Sequence, residues 1–295
     1  MPNSLGRSLV VKLCFIFGSA LLFLASVIVC QAQTPESGLP LTEAQTQAKN
    51  ALDLGVQAYK SSRFEEAVQF FIQAKDLDPQ LLDARLYLAN AYASQYIPGA
   101  PSEDNARLGK LATDAYQDVL QVDAQNLAAI DGLASILYQR AGQPFDEKMF
   151  EESKTYHQKH IELKPDDPQP YYSVGVIDWA LSYRGNTALR MEYNKTAGDK
   201  GLADTDPLPE TLRTEYVQKF ESMVDEGIDS PKQAITLRPD YSDAMTYLNL
   251  LYRRKADMAQ TAAERERYTG MADALLDDVK EIKQKKAETH AQDKP

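Results

Sequence analysis

Residues 48–79 read AKNALDLGVQAYKSSRFEEAVQFFIQAKDLDP, and this stretch decides the fold. Apolar residues that include Ala51 and Leu54 recur at three- and four-residue spacing, which places them on one face of a helix. A second face of the same kind follows a short polar turn and ends at Pro79, because proline lacks an amide hydrogen and clashes with the preceding turn. The stretch therefore predicts two antiparallel helices, with Leu54 and Phe71 filling the groove between them.

This helix pair resembles a tetratricopeptide repeat (TPR), the 34-residue helix–turn–helix unit. The positions that match the family pattern are Ala51, Leu54, Gly55, Ala58, Ala67, Phe71, Ala74 and Pro79. Similar matches recur downstream, so the resemblance implies an all-α, right-handed superhelical solenoid of about five repeats over residues 44–283. The expected repeats span about 48–81, 82–126, 127–167, 168–241 and 242–283.

The spacing of the closing residues indicates where extra sequence has been inserted. Pro79, Ala124, Pro165 and Pro239 are separated by 45, 41 and 74 residues, against the 34 of one repeat. The joints between repeats keep their normal length, so the insertions are expected between the two helices of repeats 2 to 5. Because these turns emerge along one edge of a stacked array, they predict a single lip. Such a lip is either a binding face or an edge that tolerates insertions because loop closure costs little.

Repeat 4 carries the longest insertion, about residues 183–209, which is rich in Gly, Asp and Asn. This composition predicts a loop that is mobile when free and ordered when a partner binds. Pro231 predicts a kink or a restart in the following helix, capped by Asp229 or Ser230. In repeat 2, Ser102 is predicted to cap a helix.

The two ends of the chain differ in composition from the repeats. Residues 1–32 combine two basic residues with an apolar run from Leu13 to Val29, which is typical of an export signal. We predict cleavage between Ala32 and Gln33, then a linker at 33–43. Two alternatives stay open, namely lipidation of Cys30 and retention of the apolar run as a membrane anchor. The polar residues 284–295 predict a disordered tail.

Composition and motifs narrow the function. The net charge of -11 argues against nucleic acid, since phosphate binding needs a basic stripe. Both cysteines, Cys14 and Cys30, lie in the signal segment, so the cleaved chain would contain no thiolate. His157 and His160 are expected to be packing residues of the repeat rather than a metal pair. No motif for a catalytic, cofactor or metal site is found, and we expect no enzyme activity and no cofactor.

The residues expected on the inner helices suggest a groove for a peptide or a helix of a protein partner. Some TPR proteins bind a C-terminal carboxylate through a basic clamp, but Leu52 and Val56 occupy the first-repeat clamp positions here. The predicted partner-binding residues are Tyr59, Asn90, Ser135, Tyr138, Tyr172, Trp179 and Tyr183. The predicted function is a non-catalytic scaffold for protein–protein interaction in the periplasm or cell envelope. The alternatives are an N-terminally anchored structural subunit or lipoprotein of an envelope complex and, more distantly, an enzyme.

Overall fold

The computed structural model describes residues 40–198 and 201–292 of the chain. The chain divides into two compact units, Met1–Leu41 and Thr42–Pro295, and the helices described here belong to the second. The predicted export signal, the cleavage site at Ala32 and Gln33, and Cys30 lie outside the described residues.

The second unit is entirely helical in the part that the structure describes, in agreement with the predicted fold class. Its helices, numbered in chain order, are α1 (Glu43–Lys60), α2 (Phe64–Leu77), α3 (Leu82–Ala93), α4 (Glu103–Val122), α5 (Leu127–Ala141), α6 (Glu147–Leu163), α7 (Pro168–Ala197), α8 (Glu210–Leu237), α9 (Ser242–Met258) and α10 (Ala262–Gln292). Each consecutive pair forms one repeat, and the pairs match the five predicted repeats in order.

Every helix packs against the next one along the chain. The first helices of the repeats also contact one another, α1 with α3, α3 with α5, and α7 with α9. First helices thus lie side by side within repeats 1 to 3 and within repeats 4 and 5, and we call the set of first helices the first-helix layer.

The core of repeat 1 forms around Phe71, which is fully buried. A Cβ atom at Gly55 would lie 2.4 Å from the Phe71 ring, so only glycine lets α1 and α2 approach this closely. The prediction that Leu54 fills the same groove is wrong, since it is 47% exposed. Its counterparts Leu88 and Leu133 in repeats 2 and 3 are 6% and 0% exposed. The difference arises because a preceding helix pair covers the later positions, whereas no described helix precedes α1.

The insertion of repeat 4 is mostly helical, which corrects the predicted loop. Helix α7 has 30 residues and runs to Ala197, and the described residues 201–209 are not helical before α8 begins at Glu210. Buried polar residues such as Asn186 and Arg190 explain the extension, because they give the added turns of α7 an inward face. The composition alone does not reveal this face, since both residues are counted as polar.

Pro231 neither restarts nor ends α8, which continues as one helix from Glu210 to Leu237. The predicted caps at Asp229 and Ser230 are therefore wrong. Tertiary packing explains the tolerance: a Cβ atom at Gly175 of α7 would lie 2.3 Å from the Pro231 ring. The glycine makes room for the buried proline, and this packing offsets the hydrogen bond that a proline inside a helix removes.

The inserted turns of repeats 2 and 3 meet at one edge. The Ser102 hydroxyl accepts a hydrogen bond from the Asn105 amide at 3.1 Å, which confirms the predicted cap. The Asn105 side chain then fixes the turn by donating to the carbonyls of Ile97 and Ala100, at 2.8 and 3.0 Å. Next to it, a Cβ atom at Gly99 would lie 2.7 Å from Gln143 of the following turn.

Helix α10 continues to Gln292, through most of the stretch predicted as a tail. Lys286 of this stretch lies 2.8 Å from the Asp240 carboxylate at the start of repeat 5. Charged side chains on every face favour solvent contact without preventing helix formation, which explains why polarity alone suggested disorder. Across residues 40–198 and 201–292, no helix combines the length and the apolarity that crossing a membrane requires.

Candidate binding surface

The candidate surface lies where α7 and α9 pack together in the first-helix layer. On α7, Tyr172, Trp179 and Tyr183 are separated by seven and four residues, so they share one face. On α9, Tyr247 and Arg254 are likewise seven residues apart. The two stripes face each other, and we call them together the α7–α9 surface.

Aromatic rings connect the two stripes. Tyr247 packs edge-on against Tyr172 and Trp179, with ring centroids 5.6 and 5.4 Å away. Trp179 stacks on Tyr183 at 5.3 Å, and Tyr172 packs against Tyr241 at 5.2 Å. Offset and edge-on aromatic contacts are worth about 0.5–1.5 kcal/mol each beyond the area they bury. The rings of Tyr172, Trp179, Tyr183 and Tyr247 are thus held in place while remaining half-buried, and Tyr241 is buried.

Burial favours the protonated form of three phenols at or near this surface, those of Tyr172, Tyr241 and Tyr138. Burial raises the pKa of Tyr172, and the neighbouring Tyr247 and Asp243 act in the same direction. Burial also raises the pKa of Tyr241 to about 12. Tyr138 on α5, whose pKa is raised by burial, is a further electrostatic neighbour of Tyr172. These hydroxyl groups can therefore donate hydrogen bonds but do not serve as bases at neutral pH.

A buried charge cluster closes one end of the surface. Arg190 of α7 is 3% exposed and lies 3.3 Å from Asp257 of α9, which is 5% exposed. The Asp257 carboxylate also lies 3.2 Å from the Arg254 guanidinium and 3.8 Å from the Arg265 guanidinium. Burial raises the pKa of the Asp257 carboxyl, and the three guanidinium groups oppose this shift. The Arg254 guanidinium lies 5.5 Å from the Tyr183 ring, which joins the cluster to the aromatic stripes.

The loop of repeat 4 is tied to this cluster. Arg190 donates to the carbonyls of Ala203 and Asp206 at 2.7 and 2.8 Å. Arg265 donates to the carbonyl of Thr205 at 2.7 Å, and Asn194 donates to the carbonyl of Leu202 at 2.9 Å. These bonds hold residues 201–206 against α7 and repeat 5. The described part of the loop is thus anchored by side-chain hydrogen bonds, which its composition alone does not indicate.

The structure brings together four of the seven predicted partner-binding residues. Trp179 and Tyr183 stack, Tyr172 reaches Trp179 through Tyr247, and Tyr138 of α5 lies near Tyr172. The role of these residues in binding stays a prediction.

The other three predicted residues lie elsewhere in the array. Tyr59 pairs with the Ser94 hydroxyl at 2.9 Å. Asn90 accepts a hydrogen bond from Tyr116 at 2.7 Å. Ser135 accepts one from Gln139 at 3.0 Å. These contacts join helices or residues of the same array, so Asn90 and Ser135 already have partners within the protein.

Sequence reasoning missed the contribution of α9. Tyr241 and Tyr247 stand beside the predicted residues, and Arg254 ends the stripe. A signal was present, because Tyr247 and Arg254 are separated by two helical turns, but a single sequence does not show which face of α9 meets α7.

The two histidines of α6 lie apart from the α7–α9 surface. His160 is 5% exposed, and its Nδ1 atom lies 2.5 Å from the Asp131 carboxylate. Burial lowers the pKa of the half-buried His157 to about 4, and the neighbouring His160 adds to this shift. In the part of the chain that the structure describes, no group of three or more His, Cys, Asp or Glu side chains is arranged to hold a metal ion.

Comparison with known proteins identifies the fold. No protein-family model matches the sequence, and no curated protein matches it. Among solved structures, a crystal structure of MamA has a TM-score of 0.53 at 14% identity, covering 82% of this chain and 94% of that chain. MamA from Desulfovibrio magneticus RS-1, residue 41 to the end, has a TM-score of 0.52 at 13% identity, covering 81% and 96%.

YrrB, described as a TPR protein with an unusual peptide-binding site, has a TM-score of 0.50 at 16% identity, covering 80% of this chain and 86% of that chain. At these identities the likeness establishes the fold. The chain is an all-α solenoid of the TPR type, as the residue pattern of repeat 1 predicted.

Proposed function

We propose that this protein is a non-catalytic scaffold that binds a segment of a protein partner on the α7–α9 surface. The observation that carries the proposal is the group of half-buried rings that joins α7 to α9 around Trp179. Large aromatic groups held by their neighbours lose little entropy on binding and are enriched at the energetic centres of interfaces. The peptide-binding site in the description of YrrB is consistent with this use of the fold.

The surface is suited to contact rather than to chemistry. Burial favours the protonated form of Tyr172 and Tyr241, and the Asp257 carboxylate is paired with three arginine side chains. Rings and paired charges supply contact area and hydrogen-bond donors. A peptide or helix with apolar side chains is therefore the partner that we propose, and we assign no catalytic role.

The proposed place of action is the cell envelope. The support is the apolar run from Leu13 to Val29, which is typical of an export signal. Intact-mass measurement of the protein from its native cell distinguishes the three fates of this segment. A chain beginning at Gln33 supports a free exported protein. Acyl chains on Cys30, or the full-length mass, would instead support the anchored subunit.

Photo-crosslinking tests the proposed surface. A photoreactive phenylalanine derivative in place of Tyr183 should crosslink a partner, and the same group at the exposed Arg107 of α4 should not. Once the partner segment is identified, its affinity for the Trp179→Ala variant should fall by about 30-fold or more, as expected for an interface hot spot worth about 2 kcal/mol. Arg107→Ala on α4 is the control at an exposed position and should bind as the wild type does.

Two outcomes would contradict the proposal. The first is a well-folded Trp179→Ala variant that keeps the wild-type affinity. The second is a larger loss of affinity in Tyr59→Ala than in Trp179→Ala, which would move the binding surface to repeats 1 and 2.

A further inference from the structure

A lysine side chain lies where α6, α7 and α8 meet. The Lys154 ammonium of α6 is 2.8 Å from the Asp178 carboxylate of α7 and 3.2 Å from the Glu226 carboxylate of α8. Glu151, one turn earlier on α6, is 3.8 Å away. One lysine thus joins the second helix of repeat 3 to both helices of repeat 4.

Asp178 is the most enclosed member of this group. Its side chain is 0% exposed, whereas Lys154 is 10% and Glu226 is 41% exposed. One carboxylate oxygen of Asp178 accepts the lysine, but the other, Oδ2, is buried and has no hydrogen-bond partner in the described part of the chain. Leaving an ionised carboxylate half satisfied in a buried position is costly.

The packing around Asp178 is tight on the α8 side. A Cβ atom at Gly227 would lie 2.8 Å from Asp178 Cβ and 2.9 Å from Leu251 of α9. The charged groups that face Asp178 are Lys154 and Glu151 on α6 and Glu226 on α8, and α9 contributes the apolar Leu251. A change in the charge of Asp178 therefore alters the electrostatic interactions of these few neighbours.

Asp178 is also the residue before Trp179. Successive helical residues point about 100° apart, so Asp178 faces α6 and α8 while Trp179 faces Tyr247 of α9. The carboxylate and the indole belong to the same turn of α7. Any adjustment of this turn moves both side chains.

We propose that Asp178 is a proton-sensitive tie between repeats 3 and 4, and that its charge sets the packing of the α7 turn that carries Trp179. When Asp178 is ionised, Lys154 holds α6 to α7. When Asp178 takes up a proton, the attraction is lost, and Lys154 keeps only Glu226 and Glu151. The consequence for partner capture rests on the proposed function, but the tie itself does not.

The titration of Asp178 falls in an accessible range. Burial raises the pKa of its carboxyl from 3.8 to about 7, although Lys154 opposes the shift, and Glu226 and Glu151 add to it. Lys154 and Glu226 therefore have opposite effects on the pKa of Asp178. Removing the lysine charge should raise the pKa of Asp178 further, and removing the Glu226 charge should lower it.

Trp179 is the single tryptophan of the chain, so its fluorescence reports this turn alone. The emission of the purified chain should shift with a midpoint near pH 7, the pKa of Asp178. Asp178→Asn should abolish the transition. Lys154→Gln should move the midpoint to higher pH and Glu226→Gln to lower pH. His157→Asn is the matched control on α6 and should leave the midpoint unchanged, because burial keeps the pKa of His157 near 4.

Three results would overturn the tie: no transition in the wild type between about pH 6 and about pH 8, the same transition in Asp178→Asn, or loss of it in His157→Asn. If Asp178→Asn does not fold, the Lys154→Gln and Glu226→Gln variants still test the proposal. Their midpoints should shift in opposite directions, and shifts in the same direction would contradict the proposal. No step of this titration needs a partner. If the fluorescence transition is as expected but the protein binds no peptide, the proposed function is refuted and the proposal for Asp178 stands.

Discussion

Repeat 1 joins helices of 18 and 14 residues with a short turn, whereas repeat 4 has helices of 30 and 28 residues, with the described non-helical residues 201–209 between them. In repeat 1 a buried phenylalanine sits over a glycine, and apolar shape alone sets the distance between the helices. In repeat 4 Pro231 packs over Gly175, and further along α7 the interior holds buried polar groups, among them Asp178, Asn186 and Arg190. The comparison teaches that the same unit can be extended when polar side chains on its added turns find partners inside the array.

The difference extends to how each region is stabilised. Apolar burial in repeat 1 depends on size and depends little on direction. The buried charges of repeat 4 depend on geometry, because an ion pair removed from water is favourable only when its remaining hydrogen bonds are satisfied. Arg190 meets this condition with two carbonyls, an amide and a carboxylate. Asp178 does not meet it fully, and this contrast within repeat 4 is the basis of the proposed tie.

The largest effect is expected in repeat 1. Phe71→Ala removes a fully buried ring and should lower the free energy of unfolding by about 3–5 kcal/mol. Leu54→Ala, one helix away and 47% exposed, should cost no more than about 0.5 kcal/mol. Chemical denaturation of both variants measures the two values. Equal losses would show that the helix register of repeat 1 is wrong.

Arg190→Met tests the polar core of repeat 4. We expect a loss of about 2–3 kcal/mol, since hydrogen bonds to a charged group are lost while Asp257 keeps Arg254 and Arg265. Hydrogen exchange should accelerate in residues 201–206 before it accelerates in repeat 1. Lys195→Met, which breaks an exposed pair on the same helix, should change stability by less than about 0.5 kcal/mol. Unchanged exchange in the loop of Arg190→Met would contradict the assigned role of Arg190.

The pH dependence of stability should separate Asp178 from His157. The raised pKa of Asp178 means that the folded state holds a proton that the unfolded state has lost between pH 3.8 and about 7. This contribution to stability is complete below the lower value and is lost as the pH rises through about 7. The lowered pKa of His157 acts in the opposite sense, since its contribution is present above pH 6.5 and is lost as the pH falls through about 4.

Unfolding measured from about pH 4.5 to about pH 8 checks both signs. Relative to the wild type, Asp178→Asn should lose stability more steeply on acidification, and His157→Asn should lose it less steeply. Identical slopes in the two variants would rule out the assignment of these shifts.

The smallest effect is expected at the helix starts. The side chain of Thr42 caps α1 together with Gln45, whereas Pro209, the residue before α8, supplies no side-chain cap. Thr42→Ala should therefore cost about 1 kcal/mol. Thr46→Ala, which removes only an exposed hydroxyl bond within α1, should be neutral within about 0.5 kcal/mol. A thermal scan of the two variants distinguishes them, and equal midpoints would refute the role of the cap.

The fold was largely readable because its signals are local. Gly55, Phe71 and Pro79 stand at the spacing of the family pattern, and the joints between repeats keep their length along the chain. The candidate surface was readable in part, because Tyr172, Trp179 and Tyr183 share a face of one helix. The residues of α9 that pack against them could not be predicted, because Tyr247 lies far along the chain and contacts them only in the folded structure.

The sequence by itself determined the two-helix unit and the number and order of the repeats. These follow from periodic apolar residues and from the backbone limits of glycine and proline, which act over a few residues. Tertiary structure alone decided that the insertion of repeat 4 is helical and that α8 passes through Pro231. It also decided that Asp178 and Arg190 are buried. Each outcome depends on a partner from another helix, such as Gly175, Lys154 or Asp257, and a charge or a proline has no preferred environment until that partner is in place.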